Sequence, residues 1–413
     1  MDTHDATGYH PRRLDAVLDR LLQAAPAVML LGPRAAGKTT TAARRAASIL
    51  RLDRGEQADA FRADPDAILR GLPEPILIDE WQVVPEALGA VKRACDSRPE
   101  PGRFLLTGSV RAELQTPMWP GTGRVIIKRL YGFTEAELNA GSTPPFVDRC
   151  FAGTIEPPVG TVDLRDLVGL ALRSGFPAAL GLPEEVLRDW LASYLEQLVA
   201  RDLVMARPGT DRGLLTRYIE AMAIATAAVT DHSTAAAIAG VSRKTARAYG
   251  ELLQAVHVLS LLPAWHSNRL KRVTRRPKQH LVEPALLGPA ARVDTETILA
   301  DARLLGRLLE SFVAAQLRAE LEWSATRARM HHLRLEKGEH EIDLVLEGGG
   351  RVVAIEVKAA ARVGARDARH LAWLRDRLGE RFRLGVLLHC GKLGRSLGDR
   401  LIAAPIETLW RAA

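Results

Sequence analysis

The segment Leu31–Thr40, LGPRAAGKTT, constrains this chain more than any other stretch. It contains Gly32-x-x-x-x-Gly37-Lys38-Thr39 directly after an apolar run of strand length, Ala27-Val28-Met29-Leu30-Leu31. The pattern predicts strand, loop and helix in that order. In such a loop, glycines let successive backbone N–H groups wrap phosphates while the following helix aims its positive end at them. Lys38 would reach the β/γ oxygens and Thr39 would offer its hydroxyl to Mg²⁺. Gly32, Pro33, Arg34, Ala35, Ala36, Gly37, Lys38, Thr39 and Thr40 are therefore candidate nucleotide contacts. The bland alternative is a Gly-rich turn with a solvated lysine.

Downstream residues argue against that alternative. Pro75-Ile76-Leu77-Ile78-Asp79-Glu80 reads as a buried strand ending in two adjacent acids. Asp79 would hold the Mg²⁺ water shell beside Thr39, and Glu80 would orient and deprotonate the attacking water. A pair of helix-capping acids is the alternative, but capping does not explain a pair after a strand and downstream of a phosphate loop. A further apolar strand, Arg103–Ser109, ends in Thr107 and Ser109, which a parallel sheet would turn toward the ligand crevice. These hydroxyls are candidates for contact with the γ-phosphate or the water, or simply mark a turn. Arg124, in Gly121-Thr122-Gly123-Arg124, sits where an arginine finger would project into a neighbouring subunit's nucleotide. That role implies a homo-oligomer; a surface salt bridge is equally compatible.

The set GPRAAGKTT, LIDEWQ, LLTGS and GTGRV, with the leading Tyr9-x-Pro11-Arg12, resembles the bacterial and archaeal AAA-type P-loop ATPases fused to a C-terminal domain of unknown function. The resemblance covers nearly the whole chain. It implies ATP and Mg²⁺ as cofactors and leaves open what hydrolysis drives.

Residues 141–163 are rich in Pro, Gly and Thr without clear periodicity and read as a linker. The junction in that family resembles Ser174-Gly175-Phe176-Pro177 and the helix expected over 183–204. The stretch 231–247 then reads as helix-turn-helix, with Ser233 and Ser242 as caps and Gly240 in the turn. Its second helix would present Ser242, Arg243, Lys244 and Arg247 where recognition helices meet a major groove. Six cations follow within residues 269–278. As a β-wing they would add phosphate contacts through Lys271, Arg272, Arg275 and Arg276; the alternative is a structural module with a solvated basic edge.

The C-terminal part carries a helix expected over 303–320, then Glu341–Glu347, a Gly348-Gly349-Gly350 turn and Arg351–Lys358. Period two predicts that Ile342, Leu344 and Leu346 share a face with Val353, Ile355 and Val357, leaving Asp343, Glu356 and Lys358 together on the other. This segment resembles the PD-(D/E)xK nuclease pattern, with Glu310 as the preceding helix acid. In that pattern two carboxylates hold Mg²⁺ and the lysine orients the nucleophile. The proline before the first strand acid is absent, and Ala359-Ala360 follows the lysine where small polar residues are usual. A plain salt-bridged strand is the alternative.

Net charge is +8, which favours a polyanionic partner such as DNA, although an Arg-rich composition also reflects genome bias. Cys95, Cys150 and Cys390 have no metal or redox spacing and read as thiols of a reducing compartment. No apolar run reaches membrane-spanning length and the first residues lack signal-peptide character, so a cytoplasmic protein without a membrane partner is expected. The expected fold class is α/β in three parts: a P-loop NTPase parallel sheet (1–145), a helical and winged-helix domain (146–290), and a small restriction-endonuclease-like α/β domain (291–413). Two purposes compete. One is an ATPase acting on DNA; the other is a nucleotide-dependent signalling switch whose nuclease-like end is a docking platform.

Overall fold

The computed structural model describes residues 8–109, 122–139, 143–157, 159–203, 210–229, 232–268, 272, 275–335 and 339–412. The chain divides into two compact units, Met1–Phe133 and Thr134–Ala413.

The first unit is built on five strands: β1 (Ala27–Leu31), β2 (Ser48–Arg51), β3 (Ile76–Asp79), β4 (Phe104–Gly108) and β5 (Val125–Arg129). They pair in parallel in the order β2-β3-β4-β1-β5. Continuous apolar runs suit the central strands because helices cover both faces of a parallel sheet. Val28, Met29, Leu30, Ile76, Leu77, Ile78, Phe104, Leu105 and Leu106 are all fully buried. Each such side chain contributes roughly 1.5–3 kcal/mol of burial free energy before conformational entropy opposes it. The register sets Leu31 beside Gly108 and Asp79 beside Thr107, so the carboxyl ends of β1, β3 and β4 align. The helix after the loop is Lys38–Ala43, and the chain turns from it into β2 at Ser48.

The second unit begins with helices. The expected linker over 141–163 contains a helix, Phe146–Ala152, whose Phe146, Val147 and Cys150 are fully buried. Two turns are too short to show a period, and long-range bonds hold this helix in place. Val147 N–H donates to Glu320 at 2.5 Å, and Ser324 donates to Asp148 at 2.6 Å. Helices Leu164–Leu172, Glu184–Gln197 and Arg212–Ile224 follow, the second running on into a wider π-type turn at Leu198–Leu203. Next come β6 (Ala228–Val229), helices His232–Ala239 and Arg243–Ala255, β7 (Leu259–Leu262) and β8 (Lys278–Leu281). The strands form an antiparallel sheet in the order β6-β8-β7.

Helix Ala302–Glu320 then leads into β9 (Arg329–Arg334), β10 (Glu341–Gly348), β11 (Arg351–Lys358), helix Arg369–Leu378, β12 (Phe382–His389), β13 (Arg395–Gly398) and β14 (Leu401–Pro405). Their order is β13-β14-β12-β11-β10-β9. β10 and β11 form a hairpin with Leu344 opposite Ile355 and Leu346 opposite Val353, as period two requires. Gly349 and Gly350 make its two-residue turn with φ of +55° and +77°, the left-handed pair that matches the twist of the strands. Ile342 departs from the expected face. A register shift between Ile342 and Val345 against β9 moves it into the cluster with Val345, Val352 and Ala354, away from Leu344 and Leu346.

One apolar cluster runs from Phe146 to Trp410 and takes side chains from both the middle and C-terminal parts. The boundary expected at 290/291 therefore crosses a shared core, and the division between units falls at 133/134.

Candidate functional site

The loop after β1 has the backbone its sequence calls for. Gly32 has φ +151°, and a Cβ there would lie 2.0 Å from the Leu130 carbonyl oxygen, so no larger residue fits. Ala35 and Gly37 are left-handed at φ +62° and +88°, and Gly37 opens the helix Lys38–Ala43. Arg34 and Ala35 lie in the turn, Pro33 and Ala36 are buried, and Thr40 is exposed on the helix. Lys38 is 6% exposed and its ammonium donates to the carbonyls of Pro33 at 2.7 Å and Gly32 at 3.1 Å. Burial pushes its pKa down to about 8; Glu80 opposes this and Arg34 reinforces it.

Two strand ends and the helix after the phosphate loop meet at Asp79. Thr39 Oγ1 donates to Asp79 Oδ1 at 2.8 Å, and Thr107 Oγ1 donates to the same oxygen. Glu80 follows with φ +52°, an uncommon conformation for a side-chain-bearing residue and one that clusters at functional sites. Gln82 donates to Glu80 and, at 3.5 Å, to Ser109 Oγ. The hydroxyl of Thr39 and the carboxylate of Asp79 are hard oxygen donors side by side, a set that fits Mg²⁺ completed by waters and phosphate oxygens.

Arg124 is not brought to this cluster. It precedes Val125, which pairs with Ala27 at the opposite end of β1, and it forms an ion pair with Asp96 at 2.7 Å. Arg12, in contrast, has a function that the pattern Tyr9-x-Pro11-Arg12 did not disclose. Its guanidinium donates to the Ala36 carbonyl at 3.2 Å and to Tyr131 and Gly132 carbonyls at 2.8 and 3.3 Å, while lying 4.0 Å over the Phe133 ring. It ties the phosphate loop to the segment after β5.

A second polar cluster lies in the C-terminal unit. Helix Ala302–Glu320 supplies Glu310, β10 supplies Asp343, and β11 supplies Glu356 and Lys358. The structure brings these four together and adds Lys278, the first residue of β8. Lys278 Nζ lies 2.7 Å from Glu310 Oε1 and 3.3 Å from Asp343 Oδ1, and Lys358 Nζ lies 2.6 Å from Glu356 Oε1. Burial pulls the Lys278 pKa down, but Glu310, Asp343 and Glu341 outweigh it and hold the ammonium above its ordinary value. Burial and then Asp343 raise Glu356 to about 8 and raise Glu310 well above the usual carboxylate range. Burial also works against Asp343, yet Lys278, the Val357 N–H and Lys358 leave it below its ordinary value.

The expected basic wing takes a different form. Lys278 is buried within β8 instead of displayed. Arg272 pairs with Glu347 at 2.5 Å and lies 5.3 Å over Trp265, and Arg275 donates to the Arg334 carbonyl at 2.7 Å. The Arg276 carbonyl lies 3.2 Å from His332 Nε2, and Lys271 lies outside the described residues. An acid and a carbonyl of the C-terminal sheet draw Arg272 and Arg275 inward, while Arg276 is exposed. Ser242 caps the helix Arg243–Ala255 as expected, with Thr245 N–H donating to it at 3.1 Å. Arg243, Lys244 and Arg247 are exposed; Arg243 donates to Ser233 and Arg247 pairs with Glu251 at 2.9 Å.

The parallel sheet, the glycine loop opening a helix, and the acid pair ending β3 give the first unit an α/β core that resembles a P-loop ATPase. A family described as "AAA domain" matches residues 24–139, and two domains of unknown function, DUF8612 and DUF4143, match 164–297 and 305–409. Uncharacterized protein Rv2008c of Mycobacterium tuberculosis and Uncharacterized protein Mb2031c of Mycobacterium bovis are each 27% identical over 399 residues, 95% of this chain and 83% of the relative. Among solved structures, the Walker-type ATPase PABY2304 of Pyrococcus abyssi aligns with TM-score 0.40 and 15% identity, over 71% of this chain and 99% of that one. Protein VC1899 from Vibrio cholerae aligns with TM-score 0.20 and 12% identity, over 97% and 93%. No helix among the described residues is long and apolar enough to cross a membrane.

Proposed function

We propose that the chain binds ATP and hydrolyses it with Mg²⁺ at the end of β1 and β3. The observation that carries this reading is the meeting of Lys38, Thr39, Asp79 and Glu80 at one end of the parallel sheet. When bound, Mg²⁺ neutralises phosphate charge and aligns the β and γ groups. Lys38 would exchange its loop carbonyls for phosphate oxygens, and Thr39 and Asp79 would hold the metal. Thr107 steadies Asp79 from β4. Glu80 accepts the proton of the attacking water, with Gln82 fixing its carboxylate. Phosphate release by purified protein tests the reading, with Lys38→Ala and Glu80→Gln as controls. Arg124 stands at the opposite end of β1 from this site, so a role as arginine finger would be played in a neighbouring copy and would require self-association.

We further propose that the second unit contacts DNA. The succession Arg212–Ile224, β6, His232–Ala239, Arg243–Ala255, β7 and β8 is that of a winged helix, and Ser242, Arg243, Lys244 and Arg247 line the exposed start of its last helix. Anisotropy titration of labelled duplex DNA against salt tests this, alongside the ATPase rate with and without DNA. Each of Arg243→Ala and Lys244→Ala should reduce the salt slope by about 1 if it meets a phosphate. The order helix Ala302–Glu320, β9, β10, β11, helix Arg369–Leu378, β12 supports a restriction-endonuclease-like reading of the remainder. Lys278 within its acids favours the switch account over cleavage.

A further inference from the structure

The acids that a PD-(D/E)xK pattern would give to a metal surround an ammonium. Lys278 is 2% exposed, and its Nζ lies 2.7 Å from Glu310 Oε1, 3.3 Å from Asp343 Oδ1 and 3.6 Å from Glu341 Oε1. The second oxygen of Asp343, Oδ2, accepts the Val357 N–H at 3.0 Å. Lys358 takes Glu356 Oε1 at 2.6 Å, and Glu356 Oε2, on a side chain only 5% exposed, has no hydrogen-bond partner among the described residues. Both oxygens of the strand acid are thus engaged, and so is one oxygen of each of the other two.

A divalent ion does not fit beside this ammonium. Mg²⁺ needs oxygens at about 2.0–2.1 Å in near-octahedral array. Lys278 Nζ already takes the Glu310 Oε1 and Asp343 Oδ1 oxygens that such an ion would need, and two cations sharing them would repel in a poorly solvated interior. The main chain that carries the lysine is fixed between two strands. It pairs with Val229 of β6 on one side and Leu262 of β7 on the other. Among the described residues, no group of three or more His, Cys, Asp or Glu side chains is arranged to hold a metal.

We propose that Lys278 is a tethered cation that occupies the Glu310–Asp343–Glu356 site and closes it to divalent metal. The C-terminal unit keeps a nuclease-like scaffold around an internal ion pair, and metal-dependent phosphodiester cleavage is blocked by a residue supplied from the neighbouring β8. The proposal builds on the nuclease-like reading of this unit and is independent of the ATPase reading.

The test is Mn²⁺ titration, followed by electron paramagnetic resonance, of the full chain without nucleotide and carrying Asp79→Asn to silence the phosphate-loop metal site. With Lys278 present, no Mn²⁺ dependent on Asp343 should bind. Lys278→Ala should gain about one Mn²⁺ per chain, lost again on adding Asp343→Asn. Lys278→Met, which keeps the buried stem, serves where the alanine variant does not fold. An Asp343-dependent Mn²⁺ site in the protein that retains Lys278 overturns the proposal, and needs no Lys278 variant. So does a folded Lys278 variant, with unchanged circular dichroism and a cooperative melt, that binds no Mn²⁺. The first outcome leaves the nuclease-like reading standing, because the acids then hold metal; the second removes that reading together with the proposal.

Discussion

Thr39 Oγ1 donates a hydrogen bond to Asp79 Oδ1 at 2.8 Å, joining residues 40 positions apart. One belongs to the helix after the phosphate loop and the other ends β3, and β4 lies between their strands. Their contact therefore depends on strand order as well as on motif content. The Mg²⁺ proposed above would thus meet two oxygens already adjacent, at the cost of exchanging the hydrogen bond between them.

Lys38→Met should weaken ATP binding by roughly 10- to 150-fold, the 1.5–3 kcal/mol of a charge-assisted contact. Isothermal titration calorimetry with a non-hydrolysable analogue measures it. An unchanged dissociation constant would remove Lys38 from the phosphates.

The same variant should be more stable than the parent without nucleotide, on the order of 1–3 kcal/mol near pH 7. Folding lowers Lys38 from 10.5 to about 8. The unfolded chain thus binds more protons between these values, and parent stability rises with pH across that window. Below about pH 8 both states are charged and the full cost of burial applies. The advantage of methionine should accordingly shrink as pH climbs from 8 toward 10, as chemical denaturation at several pH values would reveal.

Glu80→Gln should retain ATP and lose turnover by about 10²- to 10⁴-fold. The readout is bound nucleotide after gel filtration set against phosphate release. Parental turnover would assign the base elsewhere.

Arg12→Lys should lower the melting temperature, with a cost of about 1–3 kcal/mol for carbonyls left without the guanidinium fork. Arg12 serves Ala36, Tyr131 and Gly132 at once, geometry that an ammonium cannot reproduce. Because one of these carbonyls is in the phosphate loop, ATP affinity should fall too. An unaltered melt would mean that the loop is braced without it.

Local pattern was a good guide wherever function demands a fixed spacing. The loop, the strand ending at Asp79 and the pairing of Leu344 with Ile355 all follow from neighbours in sequence. Long-range relations were hidden. Lys278 reads as one more cation in a basic run, yet acids 32 and 65 residues away draw it into the interior. A register shift displaced Ile342, and periodicity has no means of signalling a bulge. Phe146–Ala152 spans too few turns to stand out against its Pro- and Gly-rich flanks.

The apolar cluster running from Phe146 to Trp410 bears on how this gene can be divided. A fragment ending near residue 290 would carry Leu253 and Leu281 to its surface, and the complementary fragment would do the same with Leu308, Phe312 and Leu346. Each would aggregate unless both were made together. The buried hydroxyl pair Thr226–Ser311, 2.7 Å apart, would be severed by the same cut. Expression of the middle and C-terminal parts thus calls for one continuous piece beginning near Thr134. Any evolutionary exchange of either part alone would have to bring its half of the interior with it.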